Sequence, residues 1–264
     1  MRFLRRITLL TSFIPVRKYT IVETSLKGKP DNRPVLLTFD DGPNHIDSVT
    51  LELLKVLKKH NVKVCFCLIG KNVKEHPHIV KQMYDDGHVL ANHGHSEKLM
   101  ISQNEHEVPQ EIEDCNEAIR NAIGKQDHEV EYYRPSYGAY FPKHKPAWEN
   151  KNMLLLPVTD FYFDHKVPKS GMKSFIAHFL KKIKKNHGGI YVMHDGRNTH
   201  QKIKLKVDFA RSKNKSSDYD RAWVPRAVDI ILRLLKKDGY TLPALDDSFP
   251  NQLNTEFKSF LFSK

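Results

Sequence analysis

Apolar positions along the chain fall into short blocks whose spacing switches between a strand-like and a helical period, and the switching predicts β-α-β-α order. Pro34 to Leu37 is a continuous apolar run that leads into Thr38-Phe39-Asp40-Asp41-Gly42-Pro43, where Asp-Gly-Pro is turn chemistry that stops the strand just past two adjacent acids. From Ser48 to His60, Val49, Leu51, Leu53, Leu54, Val56 and Leu57 recur at helical spacings, with lysines gathered at the end as a helix C-terminus prefers. Asn61 breaks that helix, Val62 to Ile69 reads as the next strand, and Gly70 ends it. Ile79, Val80 and Met83 share one face of a helix from Lys74 to Asp86; Gly87 is its C-cap, and His88 to Ala91 is a short strand. The rhythm continues through a helix from Glu107 to Ile123, strand-like Glu129 to Tyr133 and an apolar run from Met153 to Val158. It closes with a helix from Lys173 to Lys185, a strand from Gly189 to Met193, a helix from Val224 to Lys237 and the segment Tyr240-Thr241-Leu242.

Such alternation implies parallel strands joined by crossover helices, hence an α/β fold that is either a barrel or an open doubly wound sheet. One stretch interrupts it. Gly196 to Arg221 is polar, rich in Lys and Ser and without periodicity, and a loop beyond about 15 residues in a compact domain is usually functional or disordered. It is a candidate rim element. A length of 264 residues with 39% hydrophobic content suits a single large domain. No solenoid repeat, low-complexity tract or apolar run of the roughly 18 residues needed to span a bilayer occurs in the sequence. The expected organisation is an N-terminal extension over 1–30, one α/β domain over 31–248 with a basic insertion at 197–221, and a C-terminal tail over 249–264.

The formal charge of +12 adds an acidic partner to the picture, a charged glycan or an anionic membrane surface, although a solvated lysine-rich surface explains the same charge more plainly. No aromatic-basic nucleic-acid motif accompanies it, so nucleic acid is not expected. Cys65, Cys67 and Cys115 read as buried free thiols and lean toward a reducing, cytoplasmic or membrane-peripheral compartment. Against that, Arg2, Arg5 and Arg6 precede the apolar stretch Ile7 to Ile14, which reads as a short signal peptide, a membrane-surface helix or a plain extension, so a secreted or periplasmic site is the alternative.

Candidate chemistry begins with Asp40 and Asp41, because like charges on neighbouring residues require a cation or a basic side chain between them. Four further polar clusters follow strand-like runs, and in a parallel barrel every strand's C-terminal end opens on one face. Asn92-His93-Gly94-His95-Ser96-Glu97 offers His93 with Glu97 or with His95 to join an acid of the pair in holding a divalent cation such as zinc, cobalt, nickel or iron. Tyr132-Tyr133-Arg134-Pro135-Ser136-Tyr137-Gly138 carries an arginine able to orient a carboxylate. Thr159-Asp160-Phe161-Tyr162-Phe163-Asp164-His165 supplies acids to anchor Arg134 or a histidine. Tyr191-Val192-Met193-His194-Asp195 sets a histidine beside an acid at a strand end, a general-acid arrangement.

The order TFDDGP, NHGHSE, RPSYG, TDFYFD and YVMHD resembles the five motifs of the polysaccharide deacetylase family, the NodB-homology carbohydrate esterases, over roughly Arg33 to Asp247. The resemblance implies a distorted (β/α) barrel and metal-dependent removal of acetyl groups, N-acetyl foremost, from a glycan or amino sugar. It implies Asp40 as base, Asp41, His93 and Glu97 as metal ligands with His95 as the competing ligand, and Arg134 as the residue orienting the base. It further implies an oxyanion hole at the backbone N–H of Tyr137, His194 as general acid, Asp160 or Asp164 as its partner or that of Arg134, and Val192 with Tyr191 lining the acyl pocket. Glu97 departs from the pattern, which has histidine there; Ser136 replaces a proline, and the acids of the fourth motif are spaced one residue wider. A catalytically impaired glycan-binding module of the same fold is the alternative.

Overall fold

The computed structural model describes residues 20–21, 27–44, 48–96, 98–160, 162, 164, 167–195 and 221–245. The leader-like segment up to residue 19, Glu97, the insertion as far as residue 220 and the tail from residue 246 lie outside the described residues. Eight strands are formed, β1 (Thr20–Ile21), β2 (Val35–Gly42), β3 (Cys65–Leu68), β4 (Val89–Asn92), β5 (Tyr132–Tyr133), β6 (Ala139–Tyr140), β7 (Leu154–Leu155) and β8 (Gly189–His194), among the described residues. The helices are α1 (Val49–His60), α2 (Gly70–Glu75), α3 (Pro77–Asp85), α4 (Glu107–Ile123), α5 (Pro146–Glu149), α6 (Met172–Asn186) and α7 (Val224–Lys237).

Six strands form one parallel sheet in the order β7-β5-β4-β3-β2-β8. Past β7 the chain crosses to the free edge of β8, where Asp160 bridges Tyr191 in parallel and Thr159 N–H donates to the Ile190 carbonyl at 2.8 Å. That contact curls the sheet into the distorted (β/α) barrel, a single domain. Strand alternation then gives each strand two apolar partners. Val35, Leu37, Phe39, Phe66, Leu68, Leu90 and Tyr133 face outward under the helices, while Leu36, Cys65, Cys67, Ala91, Tyr132, Leu156 and Ile190 fill the lumen with Leu245. The three cysteines are free and buried, as expected.

Several boundaries move for identifiable reasons. The helix expected from Lys74 to Asp86 is two helices, because Pro77 disfavours helical backbone at His76, which sits at φ −133°, and opens α3 at its first position. The runs Glu129 to Tyr133 and Met153 to Val158 contribute only two strand residues each, so this wall of the barrel is irregular. The strand expected over Pro34 to Leu37 is longer: β2 runs on through both acids to Gly42, and the Asp-Gly-Pro turn ends it just past them as expected. Asp40 pairs with Cys67 and Gly42 with Leu68, so Asp41 is an extra residue, a bulge with φ +70°.

Candidate active site

The bulge is what makes two adjacent acids one feature. In a regular strand consecutive side chains leave opposite faces, and Asp40 and Asp41 would be separated by the sheet. Here both reach the same histidine: His93 Nε2 lies 3.8 Å from Asp40 Oδ2 and 3.5 Å from Asp41 Oδ1. His93 follows the end of β4, and its Nδ1 is 2.7 Å from the Arg134 carbonyl, a contact that requires Nδ1 to carry the hydrogen. Nε2 therefore turns a lone pair on two carboxylates unless a proton or cation intervenes. Burial depresses the imidazole's proton affinity, but Asp40 and then Asp41 outweigh it and raise the pKa.

Arg134 lies inside the lumen, buried to 1% exposure. Its Nη1 donates to Asp40 Oδ1 at 2.6 Å and to Thr38 Oγ1 at 2.8 Å, Nε donates to the Leu156 carbonyl and Nη2 to the Pro157 carbonyl. The guanidinium thus spans the irregular wall and fixes one oxygen of Asp40, leaving the other toward His93. Neither acid of the fourth motif reaches Arg134. The turn after Arg134 is held by Ser136, whose Oγ donates to the His93 carbonyl at 2.6 Å, and Tyr137 follows at φ +66° with 47% of its surface exposed.

On the other side of Asp40, β8 places His194 in register with it. His194 Nδ1 is 2.6 Å from Asp164 Oδ1, and the His194 N–H donates to Asp164 Oδ2 at 2.9 Å. Burial works against the imidazolium, yet Asp164 prevails and the pKa rises to about 9. Asp164, itself fully buried, is held far below the usual carboxylate range by Arg221 and His194 despite desolvation. Val192 is buried two residues before His194 and on the same strand face.

Four expectations need correction. Asp195 is not the partner of His194: it points away, accepting from Thr50 Oγ1 at 2.6 Å while its own carbonyl accepts from Asn44 Nδ2, and burial raises its pKa to about 7. Asp160 stays outside the cluster, paired with Lys182 at 2.6 Å. Arg221, grouped by sequence with the basic insertion, is buried and bonded to Asp164 and to the His194 carbonyl. His95 Nδ1 is also directed elsewhere, against Gly70 beside Cys115 on α4. Among the described residues no set of three His, Cys, Asp or Glu side chains is arranged to hold a metal ion, and Glu97 lies outside them. Thr38, Ser136 and Arg221 were given no role by the sequence, since each acts through a tertiary hydrogen bond.

Residues 27–153 match the family model described as polysaccharide deacetylase. The chain is 27% identical over 221 residues to the peptidoglycan-N-acetylmuramic acid deacetylase of Bacillus subtilis strain 168, covering 83% of this chain and 73% of that protein. It is 31% identical over 166 residues to the chitooligosaccharide deacetylase of Rhizobium leguminosarum bv. trifolii, covering 63% of this chain and 73% of that one. A wild-type carbohydrate esterase family 4 pseudoenzyme from Bacillus anthracis shares the fold with a TM-score of 0.64 at 22% identity, over 83% of this chain and 66% of that structure.

Proposed function

The chain belongs to the polysaccharide deacetylase family, and on that premise we propose that it hydrolyses N-acetyl groups from the amino sugars of a peptidoglycan-like or chitooligosaccharide-like glycan. The observation that carries this reading is the juxtaposition across β2 and β8. Asp40, oriented by Arg134 at 2.6 Å, stands in register with His194, itself held by Asp164 at 2.6 Å. A base fixed by a cation faces an acid fixed by an anion.

The donor chemistry also fits a divalent cation. A histidine whose Nδ1–H is committed to a carbonyl and whose Nε2 faces carboxylate oxygens at 3.5 and 3.8 Å is a neutral nitrogen donor with anionic oxygens beside it. We assign Asp41, His93 and Glu97 as the residues that would hold it, with zinc the first choice for such N/O donors and cobalt, nickel or iron also suited. When bound, the ion would serve as a Lewis acid toward the acetyl carbonyl and acidify a water in reach.

The protein's own residues account for the proton movements. Asp40 Oδ2, the oxygen not bonded to Arg134, takes a proton from water as its oxygen bonds to the acetyl carbon. The Tyr137 N–H, on a backbone turned by its left-handed conformation, donates to the developing oxyanion, a contribution of about 3 kcal/mol for such donors. His194, protonated at neutral pH because Asp164 holds its pKa near 9, gives its Nε2 proton to the sugar nitrogen as the C–N bond breaks. Acetate and a free amine leave. Val192, on the His194 face of β8, supports an apolar seat for the acetyl methyl. The +12 charge supports an anionic glycan, and the basic insertion 197–221, apart from the buried Arg221, is assigned to contact it.

The test is acetate release from N-acetylglucosamine oligomers and peptidoglycan fragments, with protein-bound metals quantified. Wild-type protein should release acetate, and Asp40→Asn should lose at least about 10³-fold of that rate at unchanged metal content. Intact activity in Asp40→Asn rejects the base assignment. Glu97, in place of the expected histidine, favours a second reading, an impaired enzyme that retains glycan binding. Glycan binding without acetate release at full metal occupancy would select it.

A further inference from the structure

Arg221 opens the described chain after the insertion and lies just ahead of α7, where nothing in the deacetylase chemistry above requires an arginine. Its side chain is nevertheless buried, with 4% of the residue exposed. Trp223 accounts for that burial: it packs edge-on against Phe175 of α6 at 5.2 Å, and the Arg221 guanidinium lies over its indole at 5.6 Å. The fork is thereby delivered to the end of β8. Nη2 donates both to Asp164 Oδ2 and to the His194 carbonyl, and Nε donates to the same carbonyl at 3.1 Å. Asp164 Oδ1 holds His194 Nδ1. A single guanidinium therefore grips the histidine by its backbone and by the carboxylate that fixes its ring.

We propose that Arg221 is a positioning residue for the general acid: its planar fork locks the Asp164 carboxylate and the His194 carbonyl in one geometry, so that the imidazole is aimed at the leaving nitrogen. This rests on His194 being the acid of a deacetylase. The physical requirement is plain. Asp164 is wholly buried, and without Arg221 both its oxygens would be held by His194 alone, leaving a buried anion with no fixed cation to hold it against the strand end. Lysine could supply the charge, but only the guanidinium plane satisfies two acceptors at fixed angles. The placement also ties the insertion's far end to the acid, while its near end is anchored at Asp195 by Thr50 and Asn44.

The test uses Arg221→Ala and Arg221→Lys, with Arg226→Ala on the exposed side of α7 as control. Both Arg221 variants should lower kcat on a small N-acetylated amino sugar by about 10²-fold with KM within twofold, the scale of a misplaced catalytic group. Millimolar guanidinium should restore part of the activity of Arg221→Ala, and ammonium should not. Independently of turnover, the hydrogen-bonded Nδ1 proton of His194, identified by NMR as the downfield resonance that His194→Gln removes, should vanish in Arg221→Ala and persist in Arg226→Ala. Should Arg221→Ala not fold, Arg221→Lys carries the same two readouts. Full activity in Arg221→Lys, or an unchanged His194 resonance in either Arg221 variant, overturns the proposal. If wild-type protein releases no acetate, the deacetylase reading falls, and the NMR arm alone decides whether the clamp exists.

Discussion

Two histidines, one partly buried and one buried, stand at opposite ends of the same parallel sheet and are driven in opposite directions. His194, at the C-terminal end of β8, has its pKa raised to about 9 because the Asp164 carboxylate overcomes desolvation. His88, just before β4 at the N-terminal end, has its pKa lowered to about 4, by burial first and then by Lys63, with Asp86 opposing. Burial alone favours the neutral ring, so the difference is the company each keeps. His194 is held by an acid that is itself held by an arginine, whereas His88 accepts the Val64 N–H through Nδ1 and packs edge-on against Phe66 at 5.3 Å. The barrel mouth holds a partnered charge at the candidate site, and the opposite end uses a neutral ring as packing material. Active-site chemistry in parallel barrels gathers at the C-terminal ends of the strands for the same topological reason.

The sharpest way to break this contrast is to remove the charge that distinguishes the two rings. Asp164→Asn keeps the shape but withdraws the anion from His194 and leaves Arg221 uncompensated. Deacetylation should fall by about 10²- to 10⁴-fold in kcat, the range of general acid catalysis, with KM within twofold. Steady-state kinetics on an acetylated oligosaccharide, beside a near-ultraviolet circular dichroism spectrum to confirm packing, check it. A kcat within threefold of wild type would mean that Asp164 merely fills space, as His88 does.

Next in size is the lumenal pair. Arg134→Gln leaves Asp40 as a carboxylate at the top of the barrel with Thr38 and two carbonyls losing their donor. Breaking one side of a buried pair costs about 3–5 kcal/mol, and that loss should appear in urea unfolding at neutral pH. A loss below about 1 kcal/mol would show that Arg134 orients the base without holding the lumen together. A smaller effect is expected at Gly42, where a Cβ would stand 2.7 Å from both Asp195 carboxylate oxygens, and Thr50 pins that carboxylate. Gly42→Ala should cost about 1–3 kcal/mol by overpacking and reduce activity as the Asp41 bulge shifts. Unaltered stability and kinetics would mean that Asp195 yields freely.

These residues also mark how far the sequence could be read. Asp40, Asp41, His93, Arg134 and His194 were legible because each follows an apolar strand-like run, and parallel topology carries such positions to one rim. The way they cooperate was not. Nothing in Phe39-Asp40-Asp41-Gly42 announces a bulge, and without it the acids would part to opposite faces. Asp195 adjoins His194 in sequence, yet strand geometry turns neighbours apart, so the acid on the histidine is Asp164, one of the two candidates between which the sequence left the choice open. Arg221 is hidden further, because its burial depends on Trp223 docking against α6. Helices fared better: Glu107–Ile123 and Val224–Lys237 match their apolar periodicity end to end, whereas Pro77 divided the helix that periodicity alone had kept whole.

The smallest expected effect lies at the quiet end of the barrel and is absent at neutral pH. The folded-state pKa of His88, about 4, is below the unfolded value of 6.5, so above pH 6.5 the ring is neutral in both states and contributes no pH dependence. As pH falls below 6.5 the unfolded chain takes up the proton first, and stability is lost until the folded ring also titrates near 4. From these two values the loss is about 2 kcal/mol by pH 5. His88→Asn, which keeps an acceptor for the Val64 N–H, should lack that component while every other titrating group is retained. Urea unfolding of both proteins at pH 7 and pH 5 isolates it as a difference of differences. Equal losses in the two proteins would mean that His88 takes up its proton in the folded state, through Asp86 or an opening of the β3–β4 end, and the contrast between the two ends of the sheet would then rest on His194 alone.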